Sequence, residues 1–290
     1  MSAPQQYSYD LSVKSDVSDE LINVYVLRPV AGFMVRALYN TSITPNQVTL
    51  AATLSGFIAV ALYFNAHPAA TACAGAFITL KDLLDSADGQ LARAKHMYSR
   101  AGRFFDSIGD FLVNLGVFAA MGYVLSVASG SAYYLALAGL GFLGITLRVS
   151  YHVYYQTSFL HLQQQYSTNR VTEEIRGEDL RADQLTLLLQ RVFQLFYGWQ
   201  DRLMLGMDTW CRGRGEYAIR EHDWVADRVA LRLSGFLGLG TELFLLTVCS
   251  VMNQLPLYLF CNLGLMNGLW LANIWYRRNV LAPRARSVRA

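Results

Sequence analysis

Asp85-Ser86-Ala87-Asp88-Gly89-Gln90-Leu91-Ala92-Arg93, followed beyond residues 94–101 by Gly102-Arg103-Phe104-Phe105-Asp106-Ser107-Ile108-Gly109-Asp110, sets four carboxylates where two long apolar stretches meet. A charged side chain at bilayer depth costs roughly 2.5 to 3.5 kcal/mol even on the mildest scale, so four together persist only where something cationic satisfies them. Chemistry or ion binding is the expectation for this stretch.

Composition sets the class. The chain of 290 residues is 53% apolar and 16% charged, more apolar than a soluble domain usually is, which predicts an integral, multi-pass membrane protein. Six stretches are long enough to cross a hydrocarbon core that takes about 20 helical residues: 48–65, 69–84, 104–127, 133–155, 229–252 and 256–276. The second runs straight into the acidic stretch. The expected fold is all-α, a single membrane-embedded domain over 1–290 with six transmembrane helices.

Basic residues in short loops mark the cytoplasmic side. The connectors 66–68, 129–132 and 253–255 carry no Lys or Arg, whereas the N-terminal arm, 93–103, 161–228 and 277–289 hold nearly all the rest. Both termini and the acidic stretch are therefore expected in the cytoplasm, in the cell membrane if the source is prokaryotic. The net charge of +3 gives no reason to expect a nucleic-acid partner, because topology and anionic headgroups account for the basic groups. Residues 1–16 are polar and lack the apolar core of a cleavable signal, so insertion is expected to rely on the spans. Cys73, Cys211, Cys249 and Cys261 form no C-x-x-C and read as small core hydrophobes.

Two elements outside the spans have their own pattern. Over 18–41, Ile22, Val26, Phe33 and Leu38 recur near helical spacing opposite Asp19, Arg28 and Arg36, with Ser18 as a cap and Pro29 as a bend; a helix on the membrane surface is expected. The insert 161–228 opens with a charged stretch, 173–183. It then supplies Leu185, Leu188, Leu189, Val192, Phe193, Phe196, Trp199, Leu203 and Met207, enough for an interfacial amphipathic helix or for a helical hairpin packed on the bundle. Gly139, Gly141 and Gly144, with Gly235 and Gly238, suggest close helix packing and a homodimer. Trp270, Trp275 and Tyr276 before Arg277 and Arg278 read as an interfacial belt.

On a helix, residues at i, i+3, i+4 and i+7 share a face, so Asp85, Asp88, Gly89 and Ala92 line one side of the second span, and Gly102, Asp106 and Asp110 one side of the third. The short loop makes the two strips antiparallel neighbours, and their carboxylates can converge. An all-oxygen cluster suits magnesium or manganese before zinc. Four acids exceed the needs of one such ion that also keeps water and substrate oxygens, so two divalent cations roughly 3.5 to 4 Å apart are expected. Gly89 and Gly102 leave backbone bare beside the carboxylates, and Arg93 offers a planar fork for phosphate oxygens. Together these describe a site for a pyrophosphate-linked nucleotide.

The spacing from Asp85 through Asp88, Gly89, Ala92, Arg93, Gly102 and Asp106 to Asp110 resembles the signature of the CDP-alcohol phosphotransferase (phosphatidyltransferase) family at every fixed position. Thr44-Pro45-Asn46-Gln47-Val48-Thr49 looks like that family's Pro-Asn-x-x-Thr segment. The resemblance extends to six spans after a surface helix, and does not visibly cover the insert. It implies that Asp85, Asp88 and Asp106 hold two divalent ions on a CDP diphosphate, that Asp110 completes the metal site and acts as base, and that Asn46, Thr49, Asp88, Gly89, Ala92, Arg93 and Gly102 accommodate the nucleotide. The implied reaction is attack of a polar alcohol on the lipid-bearing phosphorus of CDP-diacylglycerol, with release of CMP, in phospholipid biosynthesis. For a phosphorylated acceptor it points to basic residues, for which Arg103, Arg148, His152 and Arg232 are the candidates.

Other readings stay open at this point. The quartet can be a structural ion-pair cluster with Lys81, Arg93, Lys95 and Arg103. Asn46 and Thr49 can serve as helix caps after Pro45, and the basic candidates can be snorkelling to the interface. The donor can instead be a CDP-linked head group passed to a lipid alcohol, and a membrane cation carrier would also use the acids.

Overall fold

The computed structural model describes residues 8–12, 19–163, 183–213 and 221–283, with isolated positions 175 and 177, and among them there is no strand. A single turn, α1 (Tyr9–Ser12), and a π-helical turn, Asn23–Leu27, precede α2 (Arg28–Leu38). Then come α3 (Pro45–Phe64), α4 (Pro68–Ala94), α5 (Arg100–Ser129), α6 (Tyr133–Leu162) and α7 (Gln184–Arg212). Beyond these come α8 (Glu221–Val225), α9 (Arg228–Gly235), α10 (Leu239–Val251), α11 (Leu255–Phe260) and α12 (Asn267–Tyr276), with π-helical turns at Cys261–Met266 and Arg277–Leu281.

Among the described residues, five stretches are long and apolar enough to cross a membrane: α3, α5, α6, Arg228–Val251 and Leu255–Leu281. The expected second span is α4. At 27 residues it has the length, but Lys81, Asp82, Asp85, Asp88 and Arg93 dilute its apolar character, and it is not among the five. It packs between α3, α10 and α2. It also runs past residue 84 without a break, so the acidic stretch is helix as far as Ala94. The chain then leaves through Lys95 and His96, whose φ is +54°. The Lys95 ammonium donates to the carbonyls of Thr41 at 2.9 Å and Ile43 at 2.8 Å, tying this end to the approach to α3.

A reciprocal cap starts α3. The Gln47 amide donates to Thr44 Oγ1, and the Thr44 amide donates to Gln47 Oε1 at 2.9 Å. Capping therefore falls to Thr44 and Gln47, which corrects the alternative that gave it to Asn46 and Thr49. Ser99 caps α5 by accepting from the Gly102 amide at 3.0 Å. Where α3 crosses α5 the helices approach closely: a Cβ on Gly109 would lie 2.8 Å from Thr53 Oγ1, and one on Gly56 2.6 Å from Val113. With no water in the bilayer core to drive association, this intimate van der Waals contact is what holds spans together.

The remaining spans depart from the expectation in instructive ways. The stretch 229–252 breaks between Gly235 and Leu239, and the buried Glu20 fills the break, accepting at 2.9 Å from the Thr241 amide in the first turn of α10. Gly235 and Gly238 admit Asp19 and Glu20 of the N-terminal arm, not a neighbouring span, and Gly139 faces open space. On the arm, Val26 and Phe33 are exposed, but Asp19 and Arg28 form a buried ion pair where a polar outer face was expected. Ser18, most of 173–183 and the end of the tail lie outside the described residues.

Helix α7 lies against α5 and α6. Phe196 stacks on Phe111 with centroids 4.4 Å apart, Phe193 meets Phe104 at 5.2 Å, and Tyr197 donates to the Ser107 carbonyl at 2.7 Å. Leu188, Leu195, Trp199 and Leu203 stay exposed on its other side. Its far end is pinned by Asp208, which accepts from Tyr155 at 2.8 Å and Trp224 at 2.7 Å. Arg277, expected at an interface, is fully buried there, 3.4 Å from the Tyr155 ring centre.

Candidate active site

The connection 95–99 turns the chain back so that the end of α4 faces the start of α5. Asp85 and Asp88 then meet Asp106, with carboxylate oxygens all within 4.8 Å of one another. Three oxygen donors at this spacing, with no imidazole or thiolate among them, fit a hard divalent cation. Thr49, on α3, donates to Asp88 Oδ2 and fixes that carboxylate from behind. Asp110 stands apart from the group: Lys81, one turn before Asp85 and 1% exposed, pairs with it. Of the other basic residues of the ion-pair alternative, Lys95 donates to the carbonyls of the α3 approach and Arg93 through Nε to the Ser12 carbonyl.

A cavity of about 460 Å³ opens beside this cluster. Asp85, Gly89 and Arg93 line it from α4, and Arg103, Asp106 and Asp110 from α5. Its further wall is partly apolar, with Phe111, Phe142 and Phe193 beside His152 and Gln156. Burial, reinforced by nearby Asp110 and Asp106, raises the Tyr197 phenol above its ordinary value. It stays a neutral donor, able to hold α7 against α5 at the rim. Burial, with Asp19 and Asp82 close by, likewise pushes the Glu20 carboxyl well above the usual carboxylate range.

Two bare-backbone positions behave differently. Gly89 is open to the cavity, and a Cβ there would lie 3.4 Å from the Arg93 guanidinium. At Gly102 a Cβ would fall on the side-chain oxygen of Asn46. The space expected for a ligand beside Gly102 is thus taken by Asn46, which the glycine allows to reach the mouth of the α4–α5 pair.

Residues 42–195, which carry both aspartate strips, match the family model described as CDP-alcohol phosphatidyltransferase. The chain belongs to the CDP-alcohol phosphatidyltransferase family. It is also similar to a bifunctional IPC transferase and DIPP synthase of Thermococcus kodakarensis, with 34% identity over 106 residues. That match spans 37% of this chain and 23% of the relative.

Within this CDP-alcohol phosphatidyltransferase fold the candidates for acceptor binding separate. Arg103 and His152 line the cavity; Arg148 and Arg232 do not. Arg232 is exposed on α9. Arg148 is wholly buried, pairing with Glu242 and donating to the Asn262 carbonyl at 3.1 Å. Asn262 Nδ2 and Tyr258 Oη lie 3.2 and 3.4 Å from the other Glu242 oxygen. Neither Glu242 nor Glu20 belongs to a motif of the sequence. An acid inside a stretch otherwise fit to span a membrane was the available signal for Glu242. Ala92, Asn46, Thr49, Asp88 and Gly102 also stand outside the cavity lining, the last four forming its support at the α3 side.

Proposed function

We propose that the chain transfers a phosphatidyl group from CDP-diacylglycerol to the hydroxyl of a polar alcohol, with release of CMP, in a reaction dependent on magnesium or manganese. The observation that carries this reading is the meeting of Asp85, Asp88 and Asp106 from two facing helices, Asp85 and Asp106 lining a cavity that also receives Arg93, Arg103 and Asp110.

Asp85, Asp88 and Asp106 would hold two divalent cations, whose chemistry is neutralisation of the donor diphosphate and of the leaving CMP. Thr49 keeps Asp88 oriented, and Arg93 and Arg103 offer donors to phosphate oxygens. The acceptor hydroxyl gives its proton to Asp110 as its oxygen bonds to the lipid-bearing phosphorus. The bond from that phosphorus to the CMP oxygen breaks, and CMP leaves with the electron pair. CMP paired with cations is a good leaving group, so orientation and charge neutralisation supply most of the acceleration and the base a smaller share.

In the membrane, α4 serves as a sixth crossing, its charged end opening to the cytoplasm beside both termini. Helix α2 and the exposed apolar side of α7 lie along the headgroup layer, so that 1–290 forms one membrane-embedded domain. A charged cytoplasmic mouth beside the lipid surface suits a donor whose nucleotide is polar and whose tails are not.

The test supplies purified protein with CDP-diacylglycerol labelled in its diacylglycerol half, magnesium, and a panel of polar alcohols. The expected result is CMP release with the label in a new phospholipid for at least one acceptor. If CMP is released only when a CDP-linked head group and a lipid alcohol are supplied instead, the donor assignment is wrong.

A further inference from the structure

We propose that Lys81 is a positioning residue that divides the aspartate quartet three to one. It holds Asp110 toward the acceptor side, away from the cluster of Asp85, Asp88 and Asp106. The inference rests on the transferase reading above and adds a residue that the motif does not contain.

Lys81 precedes Asp85 by one helical turn, so both stand on the same face of α4. Its ammonium reaches across to α5 and pairs with one oxygen of Asp110, at 2% and 19% side-chain exposure respectively. A buried ammonium loses its hydration and is kept by its partner, so the pair is a fixed strut between the two helices. Asp110 follows Asp106 by one turn of α5 and, without that strut, stands within reach of any cation held by its neighbour. With it, one oxygen is occupied and the other remains open to the cavity, which Asp110 lines. The same positive charge sits beside the cation cluster and opposes cation binding there. Lys81 therefore weakens metal affinity while keeping the proton acceptor in place for the alcohol.

These two consequences have opposite signs, which separates positioning from simple structural support. Lys81→Met keeps the length of the side chain and removes the charge. Equilibrium binding of Mn²⁺ alone, read by electron paramagnetic resonance of the free ion, is expected to tighten by about three-fold or more. Turnover at saturating metal is expected to fall by about ten- to a hundred-fold. In Lys81→Met/Asp110→Asn the turnover should be no lower than in Asp110→Asn alone. Lys81→Arg, which keeps the charge, should retain wild-type Mn²⁺ affinity and recover turnover to within about ten-fold of wild type.

If Lys81→Met binds Mn²⁺ more weakly and loses turnover together, or turns over as wild type does, the assignment is overturned. Should Lys81→Met fail to fold, the neutral double variant and Lys81→Arg decide it. The double variant must bind Mn²⁺ more tightly than Asp110→Asn, and Lys81→Arg must outpace Asp110→Asn; failure of either contradicts the role. A wild-type protein that binds Mn²⁺ but releases no CMP from any CDP-alcohol indicts the transferase reading instead, and the Mn²⁺ titrations still report on Lys81.

Discussion

Arg148 of α6 and Glu242 of α10 form an ion pair with both side chains at 0% exposure, completed by Asn262, Asn267 and Tyr258. Leaving one charge of a buried pair without its partner costs about 3–5 kcal/mol, whereas replacing both by apolar groups is often neutral. Arg148→Met is therefore expected to lower the thermal stability of the purified protein sharply, and Arg148→Met/Glu242→Leu to restore most of it. An Arg148→Met variant of unchanged stability with a raised acceptor KM would return this arginine to the substrate.

Thr49 bonds to the Asp88 carboxylate from α3 and touches no part of the cavity. A group that orients a metal ligand typically changes metal affinity by about 10–100-fold when removed. Thr49→Val is predicted to raise the magnesium concentration for half-maximal rate by at least about ten-fold, with turnover at saturating magnesium within about three-fold of wild type. An unchanged magnesium dependence would remove Thr49 from the metal site's support.

The space at Gly102 is filled by Asn46. Gly102→Ala must push that exposed carboxamide aside, so Gly102→Ala and Asn46→Ala should raise the donor KM alike, by about ten-fold, and their combination should add little. Steady-state kinetics with varied CDP-alcohol checks this. Fully additive losses would mean that the glycine contacts the donor by itself.

Glu20 gives a pH dependence with a definite sign. Burial raises its folded pKa above the unfolded value, so the folded state holds the proton more tightly. That contribution to stability is complete below the unfolded pKa of about 4.3 and is lost as pH rises through the raised folded pKa. Glu20→Gln, which keeps an acceptor for the Thr241 amide, should lack this decline. Thermal unfolding compared from pH 5 upward should show wild type falling relative to the variant; parallel curves would contradict the raised pKa.

Part of this is legible in the residues, because long apolar helices and strips of acid both leave coarse periodic marks. Apolar length outlines the helices, and a four-residue rhythm sets Asp106 and Asp110 on one face of α5. What could not be read was which charges neutralise each other across helices. Lys81 and Asp110 lie on different elements, as do Arg148 and Glu242, and a pairing of this kind depends on rotation and depth, which no local pattern records. The same holds for Glu20, whose carboxylate caps a helix more than 200 residues away. Gly235 and Gly238 signalled close approach correctly but could not say that the N-terminal arm would be the visitor. Pro45 marks where the helix starts and leaves capping by Asn46 and Thr49 as an alternative to nucleotide binding, but the cap itself spans Thr44 and Gln47.

The central claim is that Asp85, Asp88 and Asp106 act together on divalent cations in the transfer. It is tested most directly by following CMP release from CDP-diacylglycerol while free magnesium is titrated upward from chelated buffer. The account predicts no release under chelation, saturable recovery with magnesium, and loss of that recovery in Asp106→Asn. Full release in chelated buffer, or an Asp106→Asn curve that overlays wild type, would contradict it.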